Sequence, residues 1–391
     1  MKAPRWMNRE VLLISFSAFF ADLGYQTVIA LFPILLVLVL GASPSTYGIA
    51  TALAFGVGSV FGYIGGILGD RFSYKKIAIL GNLFVPLLSL VGLAVSPTVA
   101  IVLFASGWWA RNFRSPPRRS MLVLASTQKD RGKAFGFLHA LDIGGGMLSI
   151  LILAVVLLSG ISYRTAILIT ALPILFSTVL LLFARDPSHE HIVRRSTSGS
   201  GIVNGNAARS AYLGILVATL LYGFSYYSLG FPILTIAEKS SSIAGIGSYA
   251  VYLGVSAVAG YYIGSRKLNK IKVLGTMGYI LSGIGTLGLG FAYILGQGTA
   301  VFYLMVAVIG LSLGVIETLE PTIVSLIKVR GKVGSGMGAL TASRSFGVFA
   351  ANLIMGFLYM VNPFYSYTYA GLVSVAAGCI IMYYGKGFSK R

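Results

Sequence analysis

The sequence predicts an all-α membrane protein, with twelve transmembrane helices in two pseudo-symmetric six-helix bundles. Three observations carry this. Of 391 residues, 56% are hydrophobic and only 10% charged, against roughly 25% charged in a soluble domain. Apolar runs of about 20 residues recur along the whole chain, each long enough to cross the ~30 Å hydrocarbon core as a helix. The basic residues alternate in a way that fixes one side of the membrane. This composition excludes a soluble enzyme, a disulfide scaffold and a disordered chain. The single cysteine, Cys379, lies in the last apolar run, so no intrachain disulfide forms.

Turn signals and polar clusters divide the chain into spans near 11–40, 45–69, 76–97, 98–125, 132–159 and 161–184. Six more follow near 210–237, 242–265, 272–295, 298–327, 333–361 and 364–385. The first run continues to Leu40 without a small-residue cleavage pattern and reads as a retained helix. Of the 30 Lys and Arg, 25 fall at the termini and in the loops of one side. They include Lys2, Arg9, Arg71, Lys75, Lys76, Arg118, Arg131, Arg209, Lys270, Lys332 and Arg391. The opposite loops hold only Arg164 and Lys239. That asymmetry predicts both termini in the cytoplasm, with the chain in the plasma membrane. The net charge of +20 therefore reports orientation, and no nucleic-acid partner is expected.

The chain repeats itself at an offset of 199 residues. Phe32-Pro33-Ile34-Leu35 recurs as Phe231-Pro232-Ile233-Leu234, and Arg131-Gly132-Lys133 as Arg330-Gly331-Lys332. Asp70-Arg71 faces Asn269-Lys270. The repeat predicts an N-terminal bundle over 1–184, a cytoplasmic Ser/Gly-rich linker over 185–209 and a C-terminal bundle over 210–391. Parallel repeats of this kind place a substrate site near the midplane between rocking halves.

Several stretches resemble the major facilitator superfamily. Gly66-Ile67-Leu68-Gly69-Asp70-Arg71-Phe72-Ser73-Tyr74-Lys75-Lys76 is similar to its signature G-x-L-a-D-R-x-G-R-K between the second and third helices. Ser73 and Tyr74 replace the usual Gly and Arg. Arg111-Asn112-Phe113-Arg114-Ser115-Pro116-Pro117-Arg118-Arg119 resembles a pattern of prokaryotic members, R-G-x-R-T-P-P-R-D. Phe135-Gly136-Phe137 through Asp142 resembles the fifth-helix pattern that follows it. The resemblance implies the fold of that superfamily and solute transport, and says nothing of the substrate.

Ionisable groups at membrane depth are rare and each is a functional candidate. Asp22 lies about 11 residues into the first span, ~17 Å deep at 1.5 Å per residue. Arg111 and Arg114 lie in the inner half of the fourth span and share a helical face with Arg118. Asp142 lies on the fifth span near His139, Glu317 and Glu320 share a face of the tenth, and Arg344 lies on the eleventh. Asp22, Arg111, Arg114 and Asp142 are expected to line the cavity. Burial and a nearby cation act oppositely on a carboxylate's hold on a proton, which suits Asp22 to proton coupling with Arg111 beside it. The alternative is static pairing, Asp142 with Arg114 and Arg344 with Glu317 or Glu320. Tyr222 and Tyr226 on the seventh span, where Leu221 replaces Asp22, suit an aromatic or amphipathic substrate. Gly66, Asp70, Arg71, Lys75 and Arg118 form an expected conformational latch, with Asp70 docking on the eleventh helix's N-terminus or on Arg118.

The expected function is secondary active transport of a small amphipathic or anionic solute by alternating access, with proton-coupled export favoured. Alternatives are uptake or export of an organic anion or metal chelate, and a non-transporting sensor or lipid-flipping member. Gly132-Lys133 lacks the rest of a phosphate-binding loop, and no metal or nucleophile constellation appears. No enzyme, cofactor or metal is expected; the partners are a small-molecule substrate, protons and the lipid bilayer. The default state is a monomer.

Overall fold

The computed structural model describes residues 6–127, 130–186, 206–225, 229–265, 269–327 and 333–384. All regular structure among them is helical. In chain order the helices are α1 (Arg9–Val39), α2 (Pro44–Arg71), α3 (Tyr74–Leu93), α4 (Pro97–Ala125), α5 (Arg131–Leu158) and α6 (Tyr163–Phe183). Then come α7 (Asn206–Gly223), α8 (Gly230–Lys239), α9 (Ser242–Ser265), α10 (Lys270–Ile294), α11 (Thr299–Ile327), α12 (Val333–Val361) and α13 (Pro363–Tyr384).

Ten of these are long and apolar enough to span a membrane. α4 has the length, but its four arginines dilute its hydropathy. The expected seventh span is divided into α7 and α8, with Leu229 in the left-handed region (φ 58°, ψ 3°) at the start of α8. Helix starts follow from side-chain caps. Asn8, Ser43, Ser73 and Ser96 each accept a backbone N–H from the first turn, and Pro44 and Pro97 follow two of them.

The chain divides into two compact units: Met1–Ala42 with Leu53–Arg195, and Ser43–Ala52 with Ser196–Arg391. Most of the expected linker lies outside the described residues. The sequence reading assigned residues 43–52 to the N-terminal bundle; they pack instead in the second unit. The reason is a close backbone approach, because Gly48 and Gly356 meet with no side chain between them. A Cβ on Gly356 would lie 3.0 Å from the Gly48 Cα. Beside them the buried Thr51 hydroxyl donates to Asn352 Oδ1 at 3.0 Å, and Tyr47 packs edge-on against Phe231. Immediately after this stretch α2 widens into a π-helical turn, Ala52–Val57. There the Trp109 indole donates to the Leu53 carbonyl at 2.8 Å, supplying a partner within a perturbed backbone ladder.

In the first unit, Val11, Ile14, Ala18, Ala78, Met121, Leu122 and Leu138 form a buried core. Serines and threonines bridge its helices, Thr27 to Ser149 at 2.7 Å and Ser89 to Thr170 at 2.7 Å. In the second unit, Ile215, Tyr222, Leu274, Tyr279, Ile316 and Ile323 play the same part. Large apolar side chains are left outside, among them Val95, Leu172, Val258 and Tyr261. So much exposed apolar surface suits lipid and not water. α2 and α4 touch along glycines. A Cβ on Gly65 would overlap the Phe113 carbonyl oxygen, which is backbone and has no room to yield. Gly65→Leu is expected to lower the thermal unfolding midpoint of the detergent-solubilised protein by several degrees, since overpacking costs about 1–3 kcal/mol. Gly66→Ala, whose new Cβ meets only the Pro116 Cβ at 3.6 Å, is expected to leave that midpoint unchanged.

Candidate functional site

α4 turns Arg111, Arg114 and Arg118 to one face, and the three guanidinium groups engage three different helices. Arg111 reaches α1. Its Nη2 donates to the Tyr25 hydroxyl at 3.4 Å, and Nη1 donates to Asn112 Oδ1 at 3.2 Å. Its Cζ stands 5.5 Å from the Tyr25 ring centroid and 4.9 Å from that of Trp108. Those two rings meet edge to face at 5.8 Å, so the cation is held by aromatic faces.

Arg114 reaches α3. It is fully buried, and its Nη1 donates to the Asn82 amide oxygen. That oxygen faces Arg114 because the Asn82 amide nitrogen donates to Thr178 Oγ1 at 2.7 Å and Ser177 Oγ at 3.2 Å on α6. Gly81 makes the approach possible, since a Cβ there would stand 2.9 Å from the Arg114 Cβ. Arg118 reaches α5, where its Nη2 lies 3.7 Å from Asp142 Oδ1. The alternative pairing of Asp142 with Arg114 therefore does not occur. The i, i+3, i+7 spacing gives the common face, but the long side chains fan out from it.

Asp22 is buried on α1, three residues before Tyr25 on the same turn. Its Oδ1 accepts from Gln26 Nε2 at 3.2 Å, while its Oδ2 has no hydrogen-bond partner. The charges acting on it are those of Asp142, Arg111 and Arg118. α5 comes close here because a Cβ on Gly145 would overlap the Phe19 carbonyl oxygen of α1. His139 is exposed on the same helix.

The second unit carries a separate cluster. Arg344 of α12 bridges two carboxylates of α11, Nη1 to Glu317 and Nη2 to Glu320. The Tyr279 hydroxyl of α10 also donates to Glu320. Tyr222 packs on Tyr279, with centroids 5.2 Å apart, and Ser374 donates to the Tyr279 carbonyl at 2.7 Å. Glu320 is fully buried, whereas Glu317 is 39% exposed. Tyr226 lies outside the described residues.

At the α2–α3 turn, Asp70 Oδ1 accepts from the Tyr74 hydroxyl at 2.6 Å. Lys75 donates to the Leu182 carbonyl at 2.8 Å, and Arg71 stands over the Phe72 ring. Arg118 has Asp142 as its ion-pair partner, and the residues just before α12 lie outside the described set. Asn82, Tyr25, Trp108 and Tyr279 are the site residues that sequence reasoning passed over. Only Asn82 left a signal, as a lone amide inside an apolar run. Among the described residues no group of His, Cys, Asp and Glu is placed to hold a metal ion.

Long apolar helices in two compact units that bury ionisable clusters fit a solute transporter. The sequence model of the Major Facilitator Superfamily matches residues 14–352, and the chain belongs to that family. It is 26% identical to an uncharacterized MFS-type transporter of Methanocaldococcus jannaschii, across 97% of this chain and 96% of the relative. Its fold is similar to a POT family transporter solved with 5-aminolevulinic acid (TM-score 0.77, 12% identity, 96% of each chain). It is also similar to the human organic anion transporter MFSD10 (TM-score 0.67, 13% identity, 97% of this chain and 100% of that one).

Proposed function

We propose that this transporter is a proton-coupled secondary carrier that moves a small organic anion with an apolar portion, together with a proton, through the plasma membrane by alternating access. The observation that carries the reading is that Arg111, bonded to Tyr25 on the same turn as Asp22, acts on Asp22 through its charge. Arg111 stands over the Tyr25 and Trp108 rings and has an unpartnered Nε, and Asp22, on the same turn as Tyr25, has an unpartnered Oδ2. A planar guanidinium suits a carboxylate, and the flanking rings suit the apolar part of the same molecule. Asp22 takes the proton. A solute anion that engages Arg111 draws that cation's field away from Asp22, and protonation restores the local charge balance. Solute and proton binding are then linked in free energy, and linkage is reciprocal. Organic anion transport is named for one fold neighbour, but likeness at 13% identity shows the fold alone. The anion reading therefore rests on Arg111.

The test is accumulation of labelled organic anions in proteoliposomes holding the purified protein, with and without an imposed pH gradient. Gradient-dependent accumulation supports the reading, and gradient-independent equilibration of every solute refutes the coupling. Arg111→Lys keeps the charge but loses the fork and part of the stacking. It is expected to raise KM for carboxylates roughly tenfold, from the loss of about 1.5 kcal/mol of charged hydrogen bonding. Amides of the same solutes should be little affected, and an equal change for both would remove Arg111 from anion recognition.

A further inference from the structure

The first unit buries more positive charge than it neutralises. Arg111, Arg114 and Arg118 face only two carboxylates within the helices, Asp22 and Asp142. The other described acids of this unit are engaged at helix ends. Glu10 accepts from the Arg185 backbone, Asp70 from Tyr74, Asp130 pairs with Lys133, and Asp186 accepts from Ser73. The surplus can be located. Arg111 rests on two aromatic faces, and Arg118 has Asp142. Arg114, the residue with no exposure at all, has a neutral amide as its sole partner.

The unused donors belong to Arg114 and its neighbour Arg118. Arg114 Nε and Nη2 and Arg118 Nε and Nη1 are all buried without a hydrogen-bond partner. The two side chains are neighbours at i, i+4 on α4, and Arg118 is the strongest charge acting on Arg114. Two adjacent buried like charges with four idle N–H-bearing nitrogens form an anion receptor. Water satisfies donors but leaves the charge uncompensated, and an uncompensated buried charge is strongly destabilising. Arg114 has no exposed surface, so an organic solute does not reach it.

We propose that the first unit binds a small inorganic monovalent anion of halide size at Arg114 and Arg118, as a resident counter-charge separate from the transported solute. The anion complements Arg114 where Asn82 supplies only a dipole. It lets α4 carry three arginines through the membrane interior.

The test uses the full-length protein in detergent and reads the unfolding midpoint in sodium chloride against sodium gluconate at equal ionic strength. A bound anion stabilises the folded state by RT ln(1 + c/Kd), with c the anion concentration, a gain that keeps rising with the logarithm of c. The wild type is expected to gain a few degrees in chloride, rising with the logarithm of its concentration. Asn82→Asp places a fixed carboxylate against Arg114, and the Ser177 and Thr178 hydroxyls can turn to donate to it. This variant is expected to show no chloride response and to match in gluconate the chloride-bound wild type. Arg114→Gln, where it folds, is also expected to lose the response. Equal midpoints in both salts for the wild type overturn the proposal, as does a full chloride response in Asn82→Asp. None of these readings depends on transport, so failure of proton coupling through Asp22 leaves them standing, and their failure leaves the coupling test standing.

Discussion

Asp22→Asn is expected to abolish solute accumulation driven by a pH gradient while leaving downhill exchange measurable. For one coupled proton, each pH unit supplies about 1.4 kcal/mol and sustains a solute gradient of roughly tenfold. The amide is near the carboxylate in size and keeps an acceptor for Gln26, which donates to Asp22 Oδ1 at 3.2 Å. It takes up no proton, so the accumulation ratio falls to about one. Binding at Arg111 survives, and exchange of labelled for unlabelled solute continues. The measurement is paired accumulation and counterflow in the same proteoliposomes. Normal accumulation by the variant would move the coupling role to Asp142 or Glu320.

The largest effect on stability is expected at Glu320. It is fully buried and accepts from both Arg344 and Tyr279. Removing its charge by Glu320→Gln leaves Arg344 with Glu317 alone, and breaking a buried pair costs about 3–5 kcal/mol. Glu317→Gln removes the other partner, which is 39% exposed. Solvent screens that pair, so the expected loss is under about 1 kcal/mol. Thermal unfolding of the two variants in detergent separates these outcomes. The double change Glu320→Gln with Arg344→Gln is expected to recover part of the loss, because the charge then left without its Arg344 partner is that of Glu317, which is 39% exposed. Equal midpoints for the two single variants would show that burial does not govern this cluster.

Much of this was legible in the residues. Long apolar runs placed the helices, and the rarity of charge within them singled out Asp22, Arg111, Arg114, Asp142, Glu317, Glu320 and Arg344. The Arg344 pairing was legible as well, because Glu317 and Glu320 lie one turn apart and a guanidinium spans both. The partners of the α4 arginines were not. Spacing gives the direction of a Cα–Cβ bond, and an arginine head swings several ångströms around it. Arg114 settled on Asn82, a neutral residue that charge counting overlooks. The break between α7 and α8 was equally hidden, since Tyr226 to Gly230 carry no proline to announce it. The placement of residues 43–52 depended on glycines meeting across helices far apart in sequence, Gly48 with Gly356.

That last feature bears on the protein's ancestry. Sequence repetition at 199 residues points to a duplicated gene, and duplication hands each copy six helices. The compact units do not respect that inheritance. The second one borrows residues 43–52 from the first copy and seats them over Asn352 and Gly356. A fragment made from residues 196–391 would therefore emerge with a bare glycine groove and an Asn352 Oδ1 without its donor, each a site for off-pathway association. Separately expressed halves would have to bring this segment to its seat as they assemble. Fusion into one polypeptide thus does more than tether the copies, because it guarantees that the borrowed segment has already been synthesised when its seat appears.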